Sequence, residues 1–261
     1  MNCIRQQAAG NSARFRTTII SVFVFLLAIL IAATPASAAC SNASLKGVFG
    51  YYHGHEVYLG NYVVGQFTAD GKGNVSGSWT WSWYGAVTAG TFTGTYSIAE
   101  NCTGSLTFSD EEGSPEDFYI VLDNAHKGFQ MIVSDSGSTQ PGFGVELGTA
   151  TCGLTGKKQT FATNLAGILV ESDEPEAVVG QIVLDGKGNI SGTETFSVNN
   201  NISTVSVTGT YTQSSDCIGT AQITPEGSSA TNFYTVAVNS GKELLLLETD
   251  NNSFLTGNAQ E

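Results

Sequence analysis

The chain contains 261 residues, in which 10 Lys and Arg stand against 23 Asp and Glu, a formal net charge of −13. Arg5, Arg14 and Arg16 are the only arginines and all lie near the N-terminus, so the remainder is more acidic still. Such a surface repels phosphate backbones and anionic lipids, which excludes nucleic acid and argues against membrane surfaces as partners.

The N-terminal segment has the composition of a secretory signal peptide. The arginines are followed by an apolar run over 19–33 and by the small-residue segment 35–38. A charged start, a short apolar stretch and a small-residue cleavage site define such signals, so we predict a signal peptide over 1–39. The apolar run, about 15 residues, is shorter than the roughly 20 that a spanning helix needs, so no membrane insertion is expected after cleavage. We therefore expect a protein that is secreted, periplasmic or at the cell surface.

An internal duplication organises the rest of the chain. The segment 63–66 recurs at 178–181, and the offset of 115 residues then continues without a gap. A duplicated segment of this size predicts two domains of one fold, a first repeat over 40–150 and a second over 151–261.

Upstream of the ungapped part, the offset between the two repeats changes. Leu45–Phe49 matches Leu165–Leu169, which implies an offset of 120 residues there. This match predicts that the loop around 53–61 is specific to the first repeat.

Four cysteines lie outside the signal: Cys40, Cys102, Cys152 and Cys217. An even number in an exported chain predicts disulfides, although four cysteines allow three pairings. The repeat favours Cys40–Cys102 with Cys152–Cys217, because one cysteine precedes each copy and one lies within it. Each bond would close a loop of about 60 residues, worth roughly 4 kcal/mol.

The secondary structure is predicted to be almost entirely β, because Val, Thr, Ser and aromatic residues alternate over short runs between turn residues. Asp70-Gly71 and its copy Asp185-Gly186 are strong hairpin signals. Strands of the first repeat are expected near 45–53, 60–69, 74–84, 88–98, 103–109, 117–123, 128–134 and 141–149, with counterparts in the second.

This layout predicts an all-β fold class of two tandem eight-stranded antiparallel up-and-down barrels. Closing eight sequential strands into a barrel removes the exposed strand edges. Two β-sandwiches are the alternative. A barrel of eight strands is filled by side chains or holds one small ligand.

Five motifs carry a resemblance to known proteins: Leu-x-Gly near the start (45–47), Gly-Gln-Phe-Thr-Ala-Asp-Gly-Lys-Gly-Asn (65–74), Phe-Thr-Gly-Thr-Tyr (92–96), Asn-Cys-Thr-Gly (101–104) and Leu-Glu-Thr-Asp (247–250). With them the chain resembles a group of uncharacterised exported β-rich repeat proteins of soil bacteria. The resemblance implies no activity and no functional residues. The strand layout is also loosely similar to lipocalin-like and allene-oxide-cyclase-like barrels, which implies architecture only.

The three tryptophans are the main ligand-binding candidates. Trp79, Trp81 and Trp83 alternate along one predicted strand and therefore share one face. The second repeat has Phe196 in place of Trp81, so this face is predicted to be the apolar one that lines a barrel interior. An exposed row on which sugar rings stack is the alternative. The remaining ligand-binding candidates are Phe196, Tyr96 and Tyr211.

Two carboxylates break the apolar face of the second repeat. Glu194 replaces Trp79, and Glu248 replaces Val133. Facing a barrel interior they would have raised pKa values and could act as acid and base. At a solvated rim they would have no such role.

His53 and His55 are weak candidates for metal ligands. Their spacing places both imidazoles on one face of a strand, as some metal sites require. No second motif completes a site, and the second repeat has no histidine, so no metal and no cofactor are predicted.

The leading functional expectation is an exported, non-enzymatic protein that binds a small apolar or aromatic ligand, or a surface polymer. An isomerase- or cyclase-type enzyme that uses Glu194 and Glu248 inside one barrel is the first alternative. A structural cell-surface protein is the second.

Overall fold

We describe the protein from a computed structural model. The structure describes residues 39–54, 61–110, 115–135, 140–148, 152–251 and 253–261. The predicted signal peptide, apart from Ala39, lies outside the described residues, as does His55. Among the described residues, no helix is long and apolar enough to cross a membrane.

The two repeats form two closed barrels of eight antiparallel strands each, in which every strand pairs with its neighbours in sequence. This confirms the predicted fold and excludes the sandwich alternative. Barrel 1 consists of β1 (Lys46–Gly54), β2 (Asn61–Asp70), β3 (Asn74–Trp83), β4 (Ala86–Ile98), β5 (Thr103–Asp110), β6 (Pro115–Leu122), β7 (Gly128–Val133) and β8 (Pro141–Glu146). Barrel 2 consists of β9 (Gln159–Leu169), β10 (Glu174–Leu184), β11 (Asn189–Val198), β12 (Asn201–Gln213), β13 (Ile218–Pro225), β14 (Thr231–Val238), β15 (Glu243–Glu248) and β16 (Ser253–Gln260).

The hairpin after β2 shows how the sequence fixes a turn. The Oδ1 atom of Asp70 accepts hydrogen bonds from the backbone N–H groups of Lys72, Gly73 and Asn74. These bonds and one from the Asn74 side chain lower the pKa of Asp70 to about 2. Gly71 supplies the positive φ, +79°, that such a turn requires. Asp185 repeats this arrangement in barrel 2.

The strand register corrects the alignment at the start of the repeats. Phe49 pairs with Phe67 on β2, and Phe161 pairs with Ile182, the residue 115 places after Phe67. Phe49 therefore corresponds to Phe161, an offset of 112 residues, and the Leu-x-Gly match that implied 120 is wrong. We call residues that hold the same place in this register equivalent.

The predicted disulfides Cys40–Cys102 and Cys152–Cys217 are both present. Each lies at the end of its barrel that holds the Asp-Gly hairpin, which we call the disulfide end; the opposite end is the mouth. Tyr96 closes this end of barrel 1 by donating a hydrogen bond of 2.7 Å to the carbonyl of Leu45. Tyr211 donates likewise to the carbonyl of Leu154, at 2.8 Å.

The barrels pack side against side. Outward-facing Val236, Val238 and Leu245 of barrel 2 are fully buried, although they do not face the interior of their own barrel. They lie against Gly50, where an added Cβ would come within 2.4 Å of Val238 Cγ1. Tyr62 of barrel 1 contacts Phe254 of barrel 2, with ring centroids 5.6 Å apart. We call this contact of β14–β16 with the outer face of β1–β2 the barrel interface.

Candidate ligand site in the first barrel

A cavity of about 850 Å³ opens at the mouth of barrel 1. This volume lies within the range of about 300–1,000 Å³ that small-molecule sites occupy. Most of the lining side chains are aromatic or polar, and none is a lysine or an arginine. They include Tyr51, His53, Asn61, Val63, Trp79, Trp81, Thr88, Phe92, Phe108, Asp110, Glu116 and Gln140.

The alternation of side chains along β1, β2 and β3 places these residues on the inner face of the barrel. Tyr51 and His53 point inward from β1 and pair with Gly65 and Val63 of β2, which in turn pair with Trp79 and Trp81 of β3. Glycine makes room for the rings, since a Cβ on Gly65 would lie 2.6 Å from Cε1 of Tyr51. The cavity wall is therefore aromatic because glycines face aromatic residues across the sheet.

The tryptophans form a row that leads out of the cavity. Trp79 and Trp81 are half-buried and line it, whereas Trp83 lies at the rim with 53% of its surface exposed. Trp83 stacks on Trp81, with ring centroids 5.8 Å apart and an angle of 10° between the planes. The indole N–H of Trp81 donates to Oδ1 of Asn61. The stacked pair of Trp81 and Trp83 thus extends an aromatic surface from the cavity wall to the solvent.

His53 is held in the cavity wall by Gln140. Its Nδ1 lies 3.1 Å from Oε1 of Gln140. An amide oxygen only accepts, so Nδ1 carries the proton and Nε2 is left as an acceptor. Burial lowers the pKa of His53 to about 4. The imidazole is therefore neutral at neutral pH.

Glu116 faces His53 from β6. Its Oε2 atom lies 3.8 Å from Nε2 of His53. Burial, with a smaller contribution from the negative charge of Asp135, raises the pKa of Glu116 to about 7. Burial also raises the pKa of Tyr51, whose ring stacks on His53 at 6.0 Å. The site therefore holds a neutral histidine beside a carboxyl that can gain or lose a proton near neutral pH.

Among the described residues, no group of three metal-ligating side chains includes His53. His53 directs one ring nitrogen to Gln140, and the second predicted ligand, His55, lies outside the described residues. Among the described residues, His126 groups with Cys40 and Cys102, whose sulfurs are joined in a disulfide. Disulfide sulfur is not the thiolate that binds metals.

The interior of barrel 2 differs at the equivalent positions. Thr163 and Leu165 take the places of Tyr51 and His53, and Leu255 takes that of Gln140. Val205 takes the place of Gly90, against which the Trp79 ring lies in barrel 1. Phe196 is half-buried on the inward face, as the repeat predicts.

The two predicted interior carboxylates are buried in barrel 2 and hydrogen-bonded to its wall. Glu194 accepts a bond of 3.2 Å from Thr163. Glu248 accepts bonds from the Ser253 hydroxyl and, at 2.8 Å, from the backbone N–H of Leu255. Burial raises the pKa of both, that of Glu248 to about 7. Neither borders the cavity of barrel 1.

Tyr96 and Tyr211, which the sequence placed among the ligand-binding residues, lie at the disulfide end. Their hydroxyls are bonded to backbone carbonyls, so they close the barrels instead of lining the cavity. Glu116, Tyr51 and Gln140 were missed. Glu116 could have been found, because it continues the inward alternation of Phe118, Ile120 and Leu122 by one step towards the mouth.

No known protein family matches the chain, and no curated protein matches its sequence.

Proposed function

We propose that barrel 1 is an exported binding module for a small aromatic ligand, which enters at the mouth and lies against Trp79 and Trp81. The observation that most supports this proposal is the open, largely aromatic cavity of about 850 Å³. Ligand sites are usually concave and largely apolar, with a few polar groups that fix orientation. His53, Glu116 and Gln140 are those polar groups here.

The tryptophan row supports an aromatic ligand in particular. Offset stacking and edge-to-face contacts favour ring against ring beyond the burial of area. Trp81 is fixed by Asn61 and by Trp83, so its face is already oriented before a ligand arrives. A prepared face lowers the entropy lost on binding.

A surface polymer is the second candidate, because Trp83 is exposed at the rim and continues the stacked surface into solvent. A polymer would need Trp83 as much as Trp81. A small ligand held inside would depend on Trp81 and little on Trp83.

Titration with the neutral fluorescent probe N-phenylnaphthylamine tests the proposal. We expect saturable binding that Trp81→Ala weakens by about tenfold or more, the loss of roughly 1.4 kcal/mol. Phe196→Ala, the equivalent change in barrel 2, is the matched control and should leave the affinity unchanged. Equal losses in both variants, or no binding to folded wild-type protein, would reject the site. A larger loss with Trp83→Ala than with Trp81→Ala would favour the polymer.

A further inference from the structure

The charges at the two ends of barrel 1 differ. Asp110 and Glu116 contribute carboxyls to the cavity, whose lining has no lysine or arginine. The first repeat has three lysines, Lys46, Lys72 and Lys127. Lys46 packs on the Asp70 hairpin, Lys72 belongs to that hairpin, and Lys127 pairs with Glu146 at 2.6 Å. All three therefore lie at the disulfide end, and among the described residues the side chains that can bring charge to the cavity at neutral pH are carboxyls.

The aromatic lining adds to this preference for positive charge. The faces of indole, phenol and phenyl rings carry negative potential that attracts cations, most strongly for tryptophan. His53 does not oppose a cation, because it is neutral and directs an unprotonated Nε2 into the site. The cavity thus combines aromatic faces, carboxyls and a neutral acceptor.

We propose, building on the binding function above, that the ligand of barrel 1 is a small organic cation, an aromatic or quaternary amine whose positive group lies between the tryptophan faces and Glu116.

Isosteric probes test the charge separately from the shape. Phenyltrimethylammonium and tert-butylbenzene have almost the same shape and differ in charge, and benzenesulfonate carries the opposite charge. We expect the cation to displace N-phenylnaphthylamine with an affinity about tenfold or more higher than that of the neutral isostere. The sulfonate should not displace the probe. Glu116→Gln should reduce the cation's advantage to a few-fold and leave the neutral isostere unaffected.

The same comparison across pH supplies a second readout. Glu116 is faced by His53 and Tyr51 of β1, Asp110 of β5 and Asp135 after β7. The cation's advantage should grow as pH rises through about 7, where Glu116 loses its proton, and should not grow in Glu116→Gln. Equal affinity for cation and neutral isostere would overturn this inference while leaving the binding function intact. If N-phenylnaphthylamine does not bind, the binding function itself fails.

A second inference rests on the duplication and not on the cavity. The barrel interface joins unlike surfaces, the outer face of β14–β15 in the second repeat and the outer face of β1–β2 in the first. In barrel 1 the equivalents of interface residues Tyr234, Val236 and Leu247 are uncovered. They are Tyr119, Val121 and Ile132, with 47%, 40% and 53% of their surfaces exposed.

The complementary surface is uncovered in barrel 2. Val64, at the centre of the barrel interface, is fully buried, whereas its equivalent Val179 on β10 is 53% exposed. Ala162 and Ala177 are also exposed where Gly50 and Tyr62 contact barrel 2. Each molecule therefore presents uncovered counterparts of both halves of an interface that it already makes within itself, with Asp123 and Gln130 in the places of Val238 and Leu245 on the β6–β7 face.

We infer that a second copy of this chain docks its β9–β10 face on the β6–β7 face of the first, repeating the barrel interface between molecules. Such a contact joins unlike faces, so each added copy leaves one face of each kind uncovered, and the assembly can grow beyond a dimer into rings or longer filaments. The strong negative charge of each copy opposes the approach, so added salt should strengthen it.

Sedimentation velocity of the full exported chain over a range of concentrations tests this docking. We expect species beyond the dimer at high concentration, increasing with salt, and their loss in Ile132→Asp and in Val179→Asp. Ile202→Asp is the control, because Ile202 is 74% exposed on β12 and belongs to neither face. A monomer at every concentration would overturn the inference. A dimer that does not grow and survives Val179→Asp would also overturn it, since it would show that like faces meet.

Discussion

Barrel 1 and barrel 2 share strand order, hairpins and disulfides, but differ in what they hold at the mouth. Barrel 1 presents His53, Tyr51 and the tryptophan row around an open cavity. At the equivalent places barrel 2 has aliphatic or small residues, the half-buried Phe196 in place of Trp81, and the hydrogen-bonded Glu194. The difference shows that the duplicated walls and closures tolerate large changes in the inward side chains of one end, which is where a function can diverge.

The two barrels also differ in the charge that they bury. Barrel 1 buries a histidine whose pKa is lowered to about 4, and barrel 2 buries Glu248, whose pKa is raised to about 7. Protonating the histidine destabilises the fold, and so does ionising the glutamate. We therefore expect barrel 1 to lose stability at His53 as the pH falls from 6.5 towards 4, and barrel 2 to lose stability at Glu248 as the pH rises from 4.5 towards 7.

The largest expected effect on the free energy of unfolding comes from removing a disulfide, and it should be similar in the two barrels. Replacing both cysteines of either disulfide by alanine should lower the free energy of unfolding by about 4 kcal/mol in each case, because both bonds close loops of similar length, with cysteines 62 and 65 residues apart. Denaturant unfolding of the two double variants measures this. A cost confined to one barrel would show that the two modules do not depend on their closures equally.

His53→Leu, which introduces the residue of barrel 2, should remove the acid sensitivity of barrel 1. The pKa of His53 falls from 6.5 to about 4 on folding, so the unfolded chain binds the extra proton between these values and stability falls with the pH. At about 1.36 kcal/mol per pH unit, the variant should gain up to roughly 3 kcal/mol over wild type between pH 7 and pH 4. Unfolding free energies at these two pH values supply the test. A difference that is constant with pH would contradict the assignment.

Glu248→Gln should show the opposite pH dependence, with its stability relative to wild type increasing as the pH rises. The pKa of Glu248 rises from 4.5 to about 7 on folding. The folded protein therefore keeps a proton that the unfolded chain releases, and wild-type stability falls as pH rises between these values. The variant should gain up to roughly 3 kcal/mol over wild type on going from pH 4.5 to pH 8. A variant that instead gains stability over wild type as the pH falls would contradict this prediction, because it would mean that Glu248 is ionised in the folded protein.

A smaller effect on stability should distinguish the outer face of barrel 1 in the barrel interface from the equivalent exposed face of barrel 2. Gly50→Ala places a methyl group against Val238 in the barrel interface and should cost about 1–3 kcal/mol, the usual penalty of overpacking. The reverse change at the equivalent exposed residue, Ala162→Gly, should cost less, about 0.5–1 kcal/mol, from backbone entropy. Thermal unfolding of both variants compares them. A harmless Gly50→Ala would show that the barrels do not pack as closely as described.

Much of the fold could be predicted because it depends on local pattern. Alternation located the strands, the Asp-Gly pairs located two hairpins, and the position of the cysteines in the repeat identified both disulfides. The wrong offset at β9 came from a five-residue match. The correct signal was also in the sequence, since Cys40 and Cys152 are separated by 112 residues, the offset that the register shows.

The barrel interface could not be predicted from alternation alone. Thr80 and Ser82 lie on the polar face of β3, a pattern typical of a solvated surface, yet both are buried. The burial comes from the other barrel, and nothing near them in sequence signals it. The run Leu244–Leu247 was a usable signal, because a strand that is apolar on both faces is expected to be buried on both.

The candidate site was predicted in part. The tryptophan row was identified by its spacing, and the structure places its first two members in the cavity wall. His53 was identified for metal chemistry, whereas its partners are Gln140 and Glu116. These come from strands distant in sequence, and only closure of the barrel brings them to β1.

An X-ray structure of crystals soaked with bromonaphthalene tests most directly whether the ligand site belongs to barrel 1 alone. Anomalous scattering locates the bromine without a prior choice of site. We predict one strong peak in the mouth of barrel 1, beside Trp79 and Trp81. A peak inside barrel 2, near Glu194 and Phe196, or peaks on the outer surface only, would contradict the account.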